Sequence, residues 1–519
     1  MTRLRNTRDS ELCLTDIRSG LIFFFYLFLE SMFSQYSIPV TGMILIKSIP
    51  STGMFKNPFI LYLIMNDEEL LNELIAQNTW WATGKNELPA HVIERNIFPL
   101  LKKELKEKEV VGLVGLRSVG KTTIMKQLIS YLLLSKTNPK HILYFSFDGF
   151  KKEEKLIRRV LTLYSHNILK KTFEEIDTEI YLFFDEVQKI GEWGEEIKSY
   201  YDKSLKMKFF ISGSSSMNIL RGSGESLVGR IIIHKIYPFV FREFLAYNHL
   251  KVEKVDLWNP KYPIEGEKLS ILFEEYAKIG GFPILYDATE ERKKPLLKSM
   301  VDLTFYRDIV NIFDVKRTDI LEGLFYIFAK ESGNVINYAN LSSSLKTKFE
   351  TVKSYMDYLN SSFLISRSSF YSGSKVKSLE KNEKIYVADH AFNILQETKE
   401  GNKIEAIVYN TLKTAGFDLF YWQDNKKKEV DIIALGESPS HLKVATFKAH
   451  HERSVVHVMA IEVKYQHKLT DSDLEGLYAF MEKYKLKRAI VVTKNLFEIR
   501  KQKGREIHYV PIWLFLLFL

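Results

Sequence analysis

The chain has 519 residues, of which 46% are hydrophobic and 27% are charged, as is typical of a soluble globular protein with about three domains. The formal net charge of +10 favours contact with nucleic acid or another polyanion, although a lysine-rich solvated surface is an equal alternative. The single cysteine, Cys13, excludes an internal disulfide framework and fits a reducing cytosol, so we expect a cytoplasmic protein.

Residues 1–64 differ in composition from the rest of the chain. Arginines precede an apolar run at residues 21–29, an arrangement that resembles a secretory signal. The run is too short to span a bilayer and stops at Glu30, and no small-residue cleavage site follows it. We therefore expect residues 1–64 to lie upstream of the natural start, without stable membrane insertion. Membrane association and a packed extension are the alternatives.

A glycine-rich segment follows an apolar run at residues 110–114. It matches the pattern G-x-x-x-x-G-K-[ST], in which a loop between a buried strand and a helix N-terminus cradles phosphate groups. The candidate nucleotide-binding residues are Gly115, Leu116, Arg117, Ser118, Val119, Gly120, Lys121, Thr122 and Thr123. We expect Lys121 to reach the β- and γ-phosphates and to aid catalysis, and Thr122 to ligate magnesium. The segment therefore predicts binding of ATP with Mg²⁺.

A second buried strand, at residues 180–184, ends in two carboxylates. Asp185 and Glu186 follow it at the edge of a parallel sheet where ligands bind. We expect Asp185 to hold the magnesium ion with Thr122, and Glu186 to act as the general base that activates water. The alternative is that Glu186 is a solvated residue at the end of a strand. Together the two motifs predict ATP hydrolysis.

Two more apolar runs, residues 142–147 and 208–211, complete the predicted sheet. Their alternation with helical segments indicates parallel βαβ units, with an extra strand between the two motif strands. The last run leads into Ser212 and Ser214, which are candidates for contact with the γ-phosphate or the attacking water. An ordinary turn rich in serine and glycine is the alternative.

An arginine is also expected near the transferred phosphoryl group, where it would neutralise developing charge. Arg230 and Arg221 are the candidates for this role. Either could equally be a surface cation, and the choice depends on the oligomeric state.

The middle of the chain has a mostly helical pattern. Predicted helices at residues 337–346 and 349–359 flank a short turn, and residues 363–370 would supply a wing strand. In a helix–turn–helix, the second helix enters the major groove of DNA while cations meet the phosphates. The cations available for this are Lys346, Lys348 and Lys353. Glu350 and Asp357 on the second helix weaken this interpretation, and a protein-contact module is the alternative.

Carboxylates and a lysine recur towards the C-terminus. Asp431 lies on one predicted strand, and Glu462 and Lys464 share one face of another. This set resembles that of a PD-(D/E)xK nuclease, in which carboxylates hold magnesium and the lysine helps to activate water. With Glu405 from an upstream helix, Asp431 and Glu462 form a candidate Mg²⁺ site. A polar insertion at residues 436–453 departs from the usual spacing, and binding without cleavage is the alternative.

Several motifs carry a resemblance to a known family. They are WWATGK at residues 80–85, the loop at 115–123, FDEVQK at 184–189, ISGSS at 211–215, GR at 229–230, PFVFREF at 238–244, GGFP at 280–283 and YRDI at 306–309. From residue 65 onwards, the chain resembles AAA+-related prokaryotic ATPases that join a P-loop domain to a winged helix and a restriction-endonuclease-like domain. The resemblance implies an ATPase core with an additional strand, a catalytic Glu186, Ser212 or Ser214 as sensor, and Arg230 as finger.

The predicted fold class is α/β, with an AAA+-like parallel sheet and a C-terminal restriction-endonuclease-like domain. The predicted segments are an atypical extension at residues 1–64, an ATPase domain at 65–250, a helical and winged-helix region at 251–375 and a nuclease-like domain at 376–519. The predicted function is an ATPase that couples hydrolysis to a DNA-binding or nuclease-like domain, with DNA, another protein or a second copy as partner. The alternatives are a nucleotide-gated regulatory or defence switch with slow turnover, and an active metal-dependent nuclease.

Overall fold

The computed structural model describes residues 65–88, 92–150, 153–203, 205–214, 227–372, 378, 381–436, 446–448, 455–466, 469–502 and 504–518. The predicted N-terminal extension with Cys13, the alternative finger Arg221 and most of the predicted insertion lie outside the described residues. The chain divides into two compact units, Met1–Ala76 and Gln77–Leu519. Among the helices of the described residues, none combines the length and the apolar character needed to cross a membrane.

Strands alternate with helices over the first half of the described residues. In chain order, these elements are α1 (Asp67–Gln77), α2 (Trp80–Thr83), α3 (Phe98–Glu104), β1 (Val110–Val114), α4 (Lys121–Leu134), β2 (Ile142–Ser146), α5 (Leu156–Leu163), β3 (Ile180–Asp185), α6 (Trp193–Tyr201), β4 (Met207–Gly213), β5 (Ile231–Lys235) and α7 (Phe241–Tyr247).

β1 to β5 form a parallel sheet in the order β2-β3-β4-β1-β5. The central strands β1 and β4 are buried along their whole length, as expected for a parallel sheet covered on both faces. β4 separates β1, which precedes the glycine-rich loop, from β3, which ends in Asp185. The predicted α/β fold with an additional strand is therefore confirmed.

The second half is helical at first and then mixed. Its elements are α8 (Gly266–Ile279), α9 (Glu290–Leu303), a π-helical turn (Thr304–Val310), α10 (Asn311–Phe313), α11 (Thr318–Lys330), β6 (Asn334–Val335), α12 (Tyr338–Ser344), α13 (Phe349–Ser361), β7 (Ile365–Phe370), β8 (Lys384–Val387), α14 (Glu400–Thr414), β9 (Asp418–Gln423), β10 (Glu429–Gly436), β11 (Thr446–Lys448), β12 (Val455–Lys464), α15 (Glu475–Lys483), β13 (Arg488–Thr493), β14 (Glu498–Gln502), β15 (Arg505–Pro511) and α16 (Ile512–Phe515).

The second sheet is mixed, in the order β14-β15-β13-β12-β10-β9-β7-β8-β6, with β11 paired to β12. α12 and α13 precede β7, which pairs antiparallel with β8 and parallel with β9. β8 begins at Lys384, beyond the boundary predicted after residue 375, yet it pairs with β6 and β7. One sheet therefore contains strands from both predicted segments, and the segment boundaries stay predictions.

α15 lies so close to β10 that one of its residues has no room for a side chain. A Cβ on Gly476 would lie 1.9 Å from the carbonyl oxygen of Glu429. We expect Gly476→Ala to lower the free energy of unfolding by about 1–3 kcal/mol, because overpacking forces the helix and strand apart. Denaturant unfolding of the purified variant measures this loss.

Gly401→Ala on α14 is the matched control, because nothing lies within 4 Å of the Cβ position at Gly401. Alanine is better than glycine inside a helix by about 0.5–1 kcal/mol, so this variant should unfold at slightly higher denaturant. Equal midpoints for the two variants would contradict the close packing of α15 on β10.

Candidate functional site

The glycine-rich loop connects β1 to α4, and glycine is required at two of its positions. A Cβ on Gly115 would lie 2.1 Å from the carbonyl oxygen of Ile236. Gly120 has a φ of +97°, and the exposed Ser118 has a φ of +61°, both in the left-handed region. Such a turn at the N-terminus of a helix directs backbone N–H groups towards an anion.

The remaining residues of the loop have separate surroundings. The side chains of Leu116 and Val119 are buried in the hydrophobic core beneath the loop. Thr123 lies on the first turn of α4 and is partly buried. These residues shape the loop, and their contact with nucleotide stays a prediction.

Lys121 is the first residue of α4 and its side chain is buried under the loop. Its Nζ donates to the carbonyl oxygens of Gly115 and Leu116, both at 2.9 Å. Burial lowers the pKa of Lys121, and the negative charges of Glu186 and Asp185 raise it less. A buried ammonium held by carbonyl dipoles gains strongly from an incoming polyanion, so this residue fits the triphosphate that the loop pattern implies.

Asp185 joins the loop to two neighbouring strands. Its carboxylate accepts hydrogen bonds from the hydroxyls of Thr122 at 2.6 Å and Tyr144 at 3.0 Å, and from the hydroxyl of Ser212. A carboxylate beside a threonine hydroxyl is an all-oxygen donor set of the kind that magnesium prefers. Thr122 and Asp185 therefore fit the predicted magnesium ion. Nothing in the sequence pattern identified Tyr144.

Glu186 has a left-handed backbone, with a φ of +57°, which is strained for a glutamate. Its backbone N–H donates to the Ser212 hydroxyl at 3.0 Å, and its Oε2 accepts from Nε2 of Gln188 at 2.5 Å. Burial raises the pKa of Glu186, although the charge of Lys121 opposes this rise. A carboxyl whose pKa is moved towards neutrality is suited to accept a proton from water.

The two predicted sensor serines lie beside these carboxylates. Ser212 is fully buried and contacts both Asp185 and the backbone of Glu186. Ser214 is also buried, and its hydroxyl accepts from Nε2 of Gln188 at 3.2 Å. Gln188 therefore links Ser214 to Glu186. The sequence motif FDEVQK contains Gln188, but the pattern gave it no role.

The side chain of Arg117 extends from the loop and contacts a residue of the predicted middle region, residues 251–375. It forms a largely buried, bidentate ion pair with Asp308 of the π-helical turn Thr304–Val310, with distances of 2.7 and 2.8 Å. Nearby, Asp148 lies 3.9 Å from Arg307 and 3.8 Å from Lys189. Charged residues from the π-helical turn thus lie at the same edge of the parallel sheet as the loop. The motif YRDI includes Asp308, but only the structure reveals its partner.

Arg230 lies at the amino-terminal ends of the strands of the parallel sheet, whereas the glycine-rich loop lies at their carboxyl ends. It immediately precedes β5, whose first residue pairs with Val110 at the start of β1, whereas the loop follows the end of β1. Its Nε lies 3.1 Å from Asp202. Within one chain Arg230 is thus separated from the loop by the length of a strand, and the finger role stays a prediction that requires a second copy.

Two of the three C-terminal residues that were expected to hold magnesium, Glu405 and Asp431, lie around a lysine. Lys384 on β8, with a side chain only 2% exposed, has its Nζ 2.8 Å from Glu405, 2.6 Å from Glu429 and 3.4 Å from Asp431. Burial alone would lower the pKa of Lys384, but the carboxylates raise it well above its usual value. No sequence pattern pointed to Lys384, because it lies 47 residues before Asp431.

Glu462, the third predicted ligand, pairs with the second lysine. Its Oε1 lies 2.6 Å from Nζ of Lys464, and the backbone N–H of Val463 donates to Asp431 at 2.9 Å. Burial and the charge of Asp431 raise the pKa of Glu462, whereas the positive charge of Lys464 acts to lower this pKa. As arranged here the cluster does not fit a divalent cation, since Glu405, Asp431 and Glu462 would each have to exchange an ammonium partner for the metal. Among the described residues, no group of three or more acidic, histidine or cysteine side chains could hold a metal ion.

The turn between α12 and α13 carries an open polar groove of about 670 Å³. The groove is lined by Ser342, Ser343, Lys346, Thr347, Lys348 and Thr351. Lys346, Lys348 and Lys353 all have exposed side chains. The hydroxyls and ammonium groups of this surface are those that bind phosphate oxygens, so the predicted DNA contact has suitable donors here.

Three family models match this chain. One described as an AAA domain matches residues 107–245. Two described as domains of unknown function, DUF8612 and DUF4143, match residues 270–396 and 400–515. The first match covers the parallel sheet and the glycine-rich loop, so this part of the chain is an AAA domain.

Two relatives and a solved structure are similar to larger parts of the chain. The chain is 31% identical over 369 residues to uncharacterized protein MJ1544 of Methanocaldococcus jannaschii, covering 68% of this chain and 78% of that protein. It is 25% identical over 422 residues to an uncharacterized protein of Haemophilus influenzae, covering 79% of this chain and 96% of that protein. A structure of the replication initiator DnaA bound to AMPPCP and single-stranded DNA aligns with 52% of this chain and 89% of DnaA, with 16% identity and a TM-score of 0.25.

Proposed function

This chain belongs to the same family as MJ1544 of Methanocaldococcus jannaschii, and we propose that it is a magnesium-dependent ATPase of the AAA+ type. The observation that carries the proposal is the set of hydrogen bonds around Asp185, which joins Thr122 of the loop to Ser212 of β4. A buried ammonium, Lys121, and a partly buried carboxyl, Glu186, lie beside this set. Phosphoryl transfer to water requires a cation for the phosphates and a base for the water.

In the proposed reaction, Lys121 and the N–H groups of the loop bind the β- and γ-phosphates. Thr122 and Asp185 would hold the magnesium ion, which neutralises charge on the phosphate oxygens when bound. Glu186 takes a proton from the attacking water as the water oxygen bonds to the γ-phosphorus. The bond from the γ-phosphorus to the bridging oxygen breaks, and its electron pair leaves with ADP.

Lys121→Ala tests the proposal at the binding step. We expect the variant to bind a fluorescent ATP analogue at least about tenfold more weakly than wild type and to release no phosphate, because the loop loses its buried cation. Isothermal titration and a phosphate-release assay with magnesium measure both quantities. Lys102→Ala on α3 is the control, since Lys102 pairs with Glu94 and its ammonium lies over the rings of Phe98 and Tyr131. Wild-type affinity in Lys121→Ala would overturn the proposal.

We further propose that the nucleotide cycle acts on the region after the AAA domain, which would contact DNA through a winged helix and a nuclease-like domain. Two observations support this extension: the ion pair from Arg117 to Asp308, and the groove that contains Lys346 and Lys348. Phosphate release measured with and without duplex DNA tests it, together with DNA affinity with and without ATP. The coupling would be contradicted if DNA left the rate of phosphate release unchanged and ATP left the affinity for DNA unchanged.

A second candidate function is a nucleotide-gated binding switch that does not cut DNA. The contacts of Lys384 with Glu405 and Asp431 favour it, because the predicted ligands already have a cation in place. Slow hydrolysis with a strong ATP-dependent change in DNA affinity would support the switch. Magnesium-dependent cleavage that disappears in both Asp431→Ala and Lys464→Ala would support a nuclease instead.

A further inference from the structure

Arg117, the third residue of the glycine-rich loop, is fixed by a carboxylate that lies 191 residues later. Its Nε and Nη2 donate to the two carboxylate oxygens of Asp308 at 2.8 and 2.7 Å. The side chain of Arg117 is 15% exposed and that of Asp308 is 3% exposed, so water competes little for the pair. The π-helical turn Thr304–Val310, which contains Asp308, lies outside the part that matches the AAA domain.

The pair of Arg117 with Asp308 lies at the same edge of the sheet as the proposed general base. Arg117 is itself a residue of the glycine-rich loop, and Arg307, the chain neighbour of Asp308, lies 3.9 Å from Asp148. Asp148 in turn lies 3.8 Å from Lys189, which follows Glu186 closely in the chain.

The pairing geometry leaves part of the guanidinium for another acceptor. Asp308 receives the N–H groups of Nε and Nη2, so the two N–H groups of Nη1 lie outside the pair. Because Asp308 fixes the plane of the guanidinium, these donors have a set direction and lose little rotamer freedom when they bind a phosphate oxygen. Arg230 has no comparable position in the same chain, because it lies at the opposite edge of the sheet.

On the basis of the proposed ATPase activity, we propose that Arg117 is the arginine that donates to the γ-phosphate within the same chain, and that Asp308 positions it. As the water oxygen bonds to the γ-phosphorus and the bridging P–O bond breaks, negative charge grows on the phosphoryl oxygens and on the leaving oxygen of ADP. The donors of Arg117 stabilise that charge, while the proton of the water goes to Glu186. Arg117 itself neither gains nor loses a proton.

The test compares Arg117→Ala, Arg117→Lys and Asp308→Asn in the full chain. We expect Arg117→Ala to lower kcat by about 10²-fold and to weaken binding of ADP with aluminium fluoride, a mimic of the transferred phosphoryl group, by a similar factor. The Kd for ATP should change by less than about fivefold, since the contact strengthens as charge develops. Arg117→Lys should recover little of kcat, because an ammonium lacks the planar fork. Asp308→Asn should lower kcat by about tenfold with an unchanged KM.

Arg317→Ala is the matched control. Arg317 forms the same kind of bidentate ion pair with Asp319, at 2.8 and 2.6 Å, but on an exposed surface. This variant should keep the wild-type kcat. Should Arg117→Ala fail to fold, as judged by circular dichroism, Arg117→Lys and Asp308→Asn decide the question by the same split between kcat and the Kd for ATP.

Two outcomes would overturn the inference by itself. One is a wild-type kcat in the arginine variants alongside a lost kcat in Glu186→Gln, which would leave the ATPase proposal intact. The other is an equal loss of affinity for ATP, ADP and ADP with aluminium fluoride, which would make Arg117 purely structural. If wild-type protein itself binds nucleotide without releasing phosphate, the ATPase proposal has failed, and the inference falls with it.

Discussion

Glu186→Gln is expected to lower kcat for ATP hydrolysis by about 10²–10⁴-fold, while the Kd for ATP stays within a few-fold of wild type. Glutamine keeps the size of the side chain and can still pair with Gln188, but it cannot accept the proton of the attacking water. The backbone of residue 186 should not change, because it is fixed by the hydrogen bond to Ser212. Steady-state phosphate release and equilibrium binding of ATP measure the two constants.

Glu192→Gln is the matched control for this substitution. Glu192 also has a left-handed backbone, with a φ of +51°, but its side chain is exposed. The control should leave kcat unchanged, which separates the loss of a base from a general effect of changing glutamate to glutamine after β3. Unaltered turnover in Glu186→Gln would remove Glu186 from the mechanism.

The pH dependence gives an independent check on the same residue. Burial raises the pKa of Glu186 above the usual value of a glutamate, so the carboxyl takes up a proton at a higher pH than it would in water. A general base must be ionised, and activity should therefore fall as the pH is lowered through this raised pKa. The acidic limb of kcat/KM against pH should be present in wild type and absent from the residual activity of Glu186→Gln.

The parallel sheet and its loop could be predicted because their signals are local. The apolar run of β1, the glycines at 115 and 120, and the apolar run of β3 ending in Asp185 each occupy a short stretch of sequence. The structural requirement for glycine at position 115 is not local, since the carbonyl oxygen of Ile236 lies 2.1 Å from its Cβ position, but the loop pattern already marks this residue. Parallel pairing then brings the carboxyl ends of these strands to one edge of the sheet.

The contacts that could not be predicted join distant parts of the chain. The ion pair of Arg117 with Asp308 and the insertion of Lys384 among the C-terminal carboxylates depend on how helices and sheets dock. A charged residue has no periodicity that reveals its partner, and most charged residues are solvated. For the same reason nothing in the sequence indicated that β8, which lies beyond the boundary expected after residue 375, would pair with β6 and β7 before it.

Lys384→Met is expected to lower the free energy of unfolding by about 3–5 kcal/mol, since removing one partner of a buried ion group leaves the other charges uncompensated. Three carboxylates, of Glu405, Glu429 and Asp431, lose their common cation in this variant. Methionine is close to lysine in length, so the loss should come from charge and not from a cavity. Denaturant unfolding at a fixed pH measures it.

Lys413→Met is the matched control, because Lys413 contacts the hydroxyl of Ser366 and not a carboxylate. Burial and the nearby charge of Lys235 lower the pKa of Lys413 to about 8, so its ammonium form is disfavoured in the folded chain. Replacing it with an apolar residue should cost less than about 1 kcal/mol, or stabilise the fold. Equal losses in the two variants would show that Lys384 contributes no specific charge compensation.

The stability loss in Lys384→Met should also depend on pH in a direction that follows from Glu405. Burial raises the pKa of Glu405 to about 7 even though Lys384 opposes the rise, so the folded chain binds this proton more tightly than the unfolded chain. A group of this kind stabilises the fold fully below its unfolded pKa and loses that contribution as the pH rises through its folded pKa. Without Lys384 the folded pKa rises further, so the variant should lose less stability at pH 5.5 than at pH 8.

Divalent cations distinguish the two interpretations of this cluster. The comparison is made in an Asp185→Asn background, which lacks the carboxylate proposed to hold magnesium beside the glycine-rich loop. If Lys384 serves as the built-in cation of the cluster, Mg²⁺ or Mn²⁺ should leave the stability of this background unchanged and restore part of the loss when Lys384→Met is added, because a ligand that binds only the folded state stabilises it. Stabilisation of the background by the same ions would mean that Glu405, Asp431 and Glu462 release their lysines to bind a metal. That result would support the magnesium site predicted from the sequence, and it would make the cleavage assay on Asp431→Ala and Lys464→Ala decisive for the second half of the chain.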